Sequence, residues 1–126
     1  MTGYRIDPPS GESEDIVMVT LSGAATFEMI AGLLRELEAR RPSRVLVDER
    51  GLRPGLIGPA QIGRIVAEWR KATALRAARV AVLAPNPVIY GLNRMFQAFA
   101  DVEGRVSVFS TREAALAWLL GTERAT

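Results

Sequence analysis

The pattern Arg-Val-x-Val occurs three times in this chain and constrains its fold more than any other feature. Each copy is a short apolar segment rich in β-branched residues, a composition that favours a strand. The copies span 44–47, 79–82 and 105–108. A helix start follows each copy, so strands alternate with helices along the chain. This alternation predicts an α/β fold with a mainly parallel sheet and right-handed crossovers.

The three helix starts have recognisable sequence signals. Pro59 opens a helix to about residue 77, and Asn86 with Pro87 opens another to about residue 100. Proline is favoured in the first helical turn because the N–H that it lacks would have no partner there. Ser110 and Glu113 form a capping box, which predicts a third helix to about residue 120.

The N-terminal part of the chain adds two strands and one helix. A short edge strand is predicted over residues 4–6. A second strand is predicted over residues 16–21 and ends at a Ser-Gly pair. Thr26 is the predicted N-cap of an amphipathic helix that ends before Pro42. We therefore expect a sheet of four to five strands with about four helices.

The length of 126 residues suits one compact domain, which buries roughly two-thirds of the surface that its unfolded chain exposes. We expect a single domain over 15–120. Residues 1–14 are expected to form an N-terminal segment that contains the edge strand, and 121–126 a flexible C-terminal tail.

The chain contains no cysteine and no histidine. Disulfides and thiolate metal sites are thereby excluded, and the commonest metal ligand is missing. A Gly-x-Ser-x-Gly nucleophile motif is also missing, and no histidine is present to act as a base. The sequence therefore predicts no catalytic residues, no metal and no cofactor, and hence a protein that is not an enzyme.

The charge pattern disfavours nucleic acid as a partner. The net charge is only +2, and 15 of the 16 basic residues are arginines scattered along the chain without a stripe that would follow a phosphate backbone. No apolar run approaches the roughly 20 residues that span a bilayer, and residues 1–11 do not resemble a signal peptide. We expect a cytoplasmic protein without a transmembrane segment.

The element order resembles a known family, and the likeness is sharpest toward the C-terminus. A strand ending in glycine, a helix, a strand ending in aspartate and the alternation that follows resemble the STAS fold of anti-sigma-factor antagonists. The segments that look like SpoIIAA-like (STAS/SEC14-like) bacterial proteins are 79–83, 90–96, 108–109 and the helix Glu-Ala-Ala-Leu-Ala-Trp-Leu at 113–119. This resemblance implies a cytoplasmic, non-enzymatic domain that binds a partner protein or a lipid-like ligand.

The resemblance also directs attention to residues 48–59. In the antagonist branch of the family this stretch presents a phosphorylatable serine in an Asp-Ser-Ser-Gly setting. Here it contains no serine or threonine. The phosphorylation switch of that branch is therefore not expected in this chain.

Asp48 and Glu49 follow a predicted parallel strand, at the edge of the sheet where ligands gather in open α/β folds. Neighbouring residues of a strand point to opposite faces, so the two carboxylates are not expected to share a substrate. We take Asp48 as a residue at the edge of the site.

Residues 51–58 contain three glycines and the apolar side chains Leu52, Leu56 and Ile57. We interpret them as a mobile loop that closes over an apolar crevice beside the Asn86 helix. An anion site at the helix start, at Gly58, is a weaker alternative because the Gly-Lys-Ser/Thr ending of a nucleotide loop is missing.

The Asn86 helix has two distinct faces on a helical wheel. An apolar arc of about 140° is predicted to be core. Its members are Val88, Ile89, Leu92, Met95, Phe96, Phe99 and Ala100. Tyr90, Arg94 and Gln97 lie together on the other side and are predicted to face outward. Trp69 and Trp118, on other helices, are predicted to be core.

Two hypotheses for function follow. In the first, the domain binds a partner protein through Tyr90, Arg94 and their neighbours, because aromatic residues and arginine are common interface anchors. In the second, it carries or senses an apolar small molecule or lipid through Leu56, Ile57 and Phe96, with peripheral membrane association. Either hypothesis leaves a homodimer open.

Overall fold

The computed structural model describes residues 3–7, 15–55, 57–100 and 104–121. Over these residues the chain forms five strands and five helices. The strands are β1 (Gly3–Asp7), β2 (Ile16–Ala24), β3 (Arg44–Arg53), β4 (Arg79–Leu83) and β5 (Val106–Phe109). The helices are α1 (Phe27–Arg40), α2 (Pro59–Lys71), α3 (Thr73–Arg76), α4 (Pro87–Ala100) and α5 (Arg112–Leu120). The predicted α/β class is confirmed. Among the described residues no helix is both long and apolar enough to cross a membrane.

The five strands form one sheet in chain order, β1-β2-β3-β4-β5. Strand β1 pairs antiparallel with β2, with Tyr4 opposite Leu21, and every later pair is parallel. The predicted edge strand and the mainly parallel sheet are both confirmed. The three Arg-Val-x-Val copies lie side by side, with Val45 opposite Val80 and Val80 opposite Val106.

Helices cover both faces of the sheet. Val45 and Val47 point toward α1, α2 and α4, in a core that includes Leu33 and Trp69. Leu46, which lies between them in the chain, points to the other face, where α5 packs with Ala115 and Leu119. Period-two alternation along β3 therefore divides its side chains between two cores.

Strand β3 contains a β-bulge. Thr20 pairs with Asp48 and Ser22 pairs with Gly51, so β3 has one residue more than β2 between these two points. The extra residue shifts the alternation, and Leu52 is consequently buried on the same side as Val47.

The prediction that a mobile loop begins at Gly51 is wrong for its first three residues. β3 continues to Arg53 because β2 is itself longer than predicted and pairs with it to Ala24. The Ala25 N–H then donates a 3.1 Å hydrogen bond to the Arg53 carbonyl.

The predicted helix from Pro59 to about residue 77 is broken at Ala72 into α2 and α3. The cause lies far away in sequence. Glu38 of α1 accepts hydrogen bonds from the backbone N–H groups of Ala74 at 3.1 Å and Leu75 at 2.8 Å. A carboxylate thus caps the new helix start, where N–H groups lack helical partners.

The cap of α5 is one residue later than predicted. Thr111, not Ser110, accepts the N-cap hydrogen bond, from the Ala114 N–H at 3.2 Å. Thr26 caps α1 as predicted, through the Met29 N–H.

The two tryptophans differ in their burial. Trp69 is buried in the larger core, as predicted. Trp118 is only partly buried, so its assignment to the core holds in part. Its ring packs against Phe109, and the Arg79 guanidinium lies 4.1 Å from the ring centroid.

Candidate functional site

An apolar cavity of about 130 Å³ lies between the sheet and helices α1, α2 and α4. Strands supply its floor and the three helices supply its walls. Representative lining side chains are Leu21, Leu33, Leu52, Ile62, Trp69 and Phe96. Trp69 and Phe96 meet edge to face, with ring centroids 5.6 Å apart. The sequence predicted an apolar crevice beside the Asn86 helix, and the cavity lies against that helix.

Two polar side chains reach into this apolar lining. Apart from the Trp69 indole, Glu49 and Asn93 carry the only polar side chains among the described residues that line it. Asn93 Nδ2 donates a 2.7 Å hydrogen bond to Glu49 Oε1 and a 3.0 Å bond to the Ile89 carbonyl. Glu49 is therefore held by α4 while it belongs to β3.

Glu49 is buried, with 7% of its surface exposed. Burial raises the pKa of Glu49 from 4.5 to about 7, because a charged carboxylate loses its water. The hydrogen bond from Asn93 opposes that rise, and the negative charge of Asp48 adds to it. Near neutral pH this carboxyl group can therefore exist in either protonation state.

The sequence correctly predicted that Asp48 and Glu49 point to opposite faces. It nevertheless selected Asp48 as the site residue, whereas Glu49 lines the cavity. Asp48 binds Arg50 through a 2.8 Å ion pair, and this arginine holds the pKa of Asp48 below its ordinary value. The alternation along β3 already indicated Glu49, because this residue lies on the same face of the strand as the buried Val45 and Val47.

The other predicted ligand residues are distributed as follows. Leu52, Ile57 and Phe96 line the cavity together. Leu56 lies outside the described residues. Gly58 is the N-cap of α2, where the Gln61 side chain accepts a hydrogen bond from its N–H at 2.9 Å.

Asn86, also predicted as a ligand residue, caps α4. Its Oδ1 accepts hydrogen bonds from the N–H groups of Val88 at 2.9 Å and Ile89 at 3.2 Å. The side chain thereby satisfies two of the N–H groups that a helix start leaves unpaired.

The segment between β3 and α2 approaches the chain after β2 closely at Gly55. A Cβ atom at this position would lie 2.8 Å from the Ala25 nitrogen and closer still to the Ala25 carbonyl oxygen. Gly55 is therefore required by backbone proximity, and Ile57 on the same segment contributes to the cavity wall.

The outer surface of α4 differs from the prediction in two ways. Gln97 does not face outward with Tyr90 and Arg94, because its Nε2 donates a 2.6 Å hydrogen bond to the Val106 carbonyl. Val88 and Phe99, assigned to the core, are 55% and 48% exposed. The helical wheel gave the direction of the apolar arc correctly, but the sheet and α2 leave Val88 and Phe99, toward one edge of the arc, uncovered.

Val88, Met95 and Phe99 fall on one side of α4 at i, i+7 and i+11, and we call these three residues the α4 stripe. Met95 is partly buried against α2. Arg94, which precedes Met95 in the chain, is exposed and forms no ion pair with any described residue. Tyr90 is half-buried.

No protein-family model matches the sequence, and no curated protein matches it. Solved structures do match the fold. The anti-sigma factor antagonist SpoIIAA in its unphosphorylated form has a TM-score of 0.61 at 13% identity, over 94% of this chain and 97% of that one. The phosphorylated form of SpoIIAA, the Bacillus cell fate determinant, has a TM-score of 0.53 at 16% identity, over 93% and 99%.

A third match comes from Shewanella loihica PV-4. It is an uncharacterised protein of the DUF3478 family with a SpoIIAA-like fold, and its TM-score is 0.62 at 18% identity, over 94% of this chain and 95% of that one. These three matches show that the chain has the SpoIIAA-like fold.

Proposed function

We propose that the protein is a non-enzymatic binding module of the STAS type that docks a partner protein on the α4 stripe and Arg94. The observation that carries this proposal is the exposure of Val88 and Phe99, 55% and 48%, on the same helix as an arginine without an ion pair among the described residues. Large apolar side chains exposed together are typical of interaction sites.

The geometry of the stripe fits a helical or extended segment of a partner. Val88 and Phe99 are eleven residues apart, which corresponds to about 16 Å along the helix axis. Aromatic residues and arginine are both enriched at the centre of protein interfaces. A partner with apolar side chains and one carboxylate near Arg94 would satisfy both features.

SpoIIAA acts, by its name, on an anti-sigma factor, and we extend to this chain the idea of a regulatory protein as partner. Residues 48–59 contain no serine or threonine. We therefore propose that partner binding here does not depend on phosphorylation of that segment.

The non-enzymatic part of the proposal is supported by the side chains available. The chain contains neither histidine nor cysteine. The adjacent carboxylates Asp48 and Glu49 point to opposite faces of the sheet, so they do not form an acid–base pair.

The test is site-specific photo-crosslinking in cells of the native host. A photoreactive phenylalanine analogue replaces Phe99 in one variant and Glu113 in a control. Glu113 is exposed on α5, which covers the opposite face of the sheet. We expect a discrete crosslink to another protein from position 99, absent from position 113.

The same crosslink should weaken when Arg94→Glu is added, because the proposed carboxylate of the partner would then meet a negative charge on α4. Equal labelling at both positions would contradict the proposal. Crosslinks only between copies of this chain would assign the stripe to a homodimer, and crosslinks only to lipid would assign it to a membrane surface.

A further inference from the structure

The Glu49 carboxyl group has more hydrogen-bonding capacity than the protein uses. A carboxylate has about four acceptor positions on its two oxygens. The described residues provide one donor, Asn93 Nδ2 to Oε1. Glu49 lines an apolar cavity, where a polar group with few hydrogen-bond partners is unfavourable.

The size of the cavity limits what can complete that hydrogen bonding. Its volume is about 130 Å³. An engineered apolar cavity of about 150 Å³ in another protein holds one benzene ring. A long acyl chain would extend out of such a space, so a small molecule fits better than a lipid tail.

The lining also favours an aromatic occupant. Trp69 and Phe96 already meet edge to face across part of the wall. A further ring can pack against them in an offset or edge-to-face geometry, which contributes beyond simple area burial. Ile57 and Leu92, both partly exposed, also line the cavity.

We infer that this cavity binds a small aromatic molecule that carries one hydroxyl or amino group, which donates a hydrogen bond to Glu49. The ring occupies the apolar space beside Trp69 and Phe96. Asn93 holds the carboxyl group in place from α4. This site is separate from the α4 stripe, so either proposal can fail without the other.

Phenol and toluene distinguish this site from an ordinary apolar cavity. They have nearly the same size, but only phenol has a donor. A purely apolar cavity favours toluene, because the phenol hydroxyl would lose its hydrogen bonds to water. A cavity with a carboxylate acceptor favours phenol.

The experiment titrates the isotopically labelled protein with each probe and follows the methyl resonances of Leu52 and Ile57 by NMR. The measurement is made at about pH 8, above the raised pKa of Glu49. We expect phenol to bind about tenfold more tightly than toluene, the effect of one hydrogen bond to a charged acceptor.

Two variants test whether the preference for phenol over toluene comes from the Glu49 carboxylate. Glu49→Met should remove the preference for phenol and leave toluene binding. Asp48→Asn, on the opposite face of the sheet, should keep the preference. Toluene binding the wild-type protein as tightly as phenol, or neither probe shifting these resonances, would overturn the inference without any variant.

Discussion

Asn93 of α4 donates a 2.7 Å hydrogen bond to Glu49 of β3, and these two residues are 44 positions apart in the chain. The same amide nitrogen donates to the Ile89 carbonyl one helical turn earlier. This amide therefore fixes α4 to the strand at the bulge, and it is the one hydrogen-bond donor to the buried carboxyl group among the described residues.

Replacement of Asn93 by leucine should destabilise the protein by about 2 to 4 kcal/mol near pH 8, because the buried carboxylate then loses its partner. Urea unfolding measures the change. The double variant Asn93→Leu with Glu49→Leu should recover much of that loss, since neither polar group remains. A loss below about 0.5 kcal/mol for the single variant would show that the hydrogen bond is unimportant for stability.

The stability should decrease as the pH rises from about 5 to 8. The pKa of Glu49 is raised in the folded protein, from 4.5 to about 7, so the folded state binds its proton more tightly than the unfolded state. The free energy of unfolding should fall by roughly 3 kcal/mol across this window.

Glu49→Gln should flatten that pH dependence, and unfolding midpoints at several pH values measure it. The chain has no histidine that would titrate in the same range. Asp48 and Glu38 have lowered pKa values, so the stability that they contribute is lost only at more acidic pH. A wild-type profile that is flat between about pH 5 and 8 would rule out a raised pKa for Glu49.

Gly55→Ala should destabilise the protein by about 1 to 3 kcal/mol, because the new methyl group meets the Ala25 backbone. Gly63→Ala is the matched control. Gly63 lies within α2, and a methyl group added there would have no other atom within 4 Å, so alanine should stabilise the helix by about 0.5 to 1 kcal/mol. Similar effects at both glycines would contradict the close approach at Gly55.

The two tryptophans should differ in their contribution to stability. Trp69→Ala removes a buried side chain from the larger core and should cost about 3 to 5 kcal/mol. Trp118→Ala should cost less, about 2 kcal/mol, because part of this ring is already exposed. Chemical denaturation of both variants gives the order, and the reverse order would mean that α5 anchors the domain more than its burial indicates.

Sequence reasoning succeeded where local spacing decides the structure. The Arg-Val-x-Val copies became adjacent strands, and the prolines at 59 and 87 begin α2 and α4 as predicted. These features depend on residues within a few positions of each other. Alternation also placed Asp48 and Glu49 on opposite faces.

The missed features depend on distant parts of the chain. The break at Ala72 requires Glu38, which is more than thirty residues earlier. The extension of β3 to Arg53 requires a partner strand of matching length. Alternation alone puts Glu49 on the buried face of β3, but its contact with Asn93 depends on α4, 44 positions away.

Because of the bulge in β3, the strand could lose one residue there without a change in the pairing on either side. Thr20 pairs with Asp48 on one side of the bulge and Ser22 with Gly51 on the other. Between these pairs β3 has two residues and β2 has one. A chain that lost Arg50 would keep both pairs and still direct Glu49 inward. A chain that lost Glu49 would direct Arg50 inward in its place. At this point a single-residue deletion is expected to reverse the charge presented to the cavity while the strand pairs on either side of the bulge are kept.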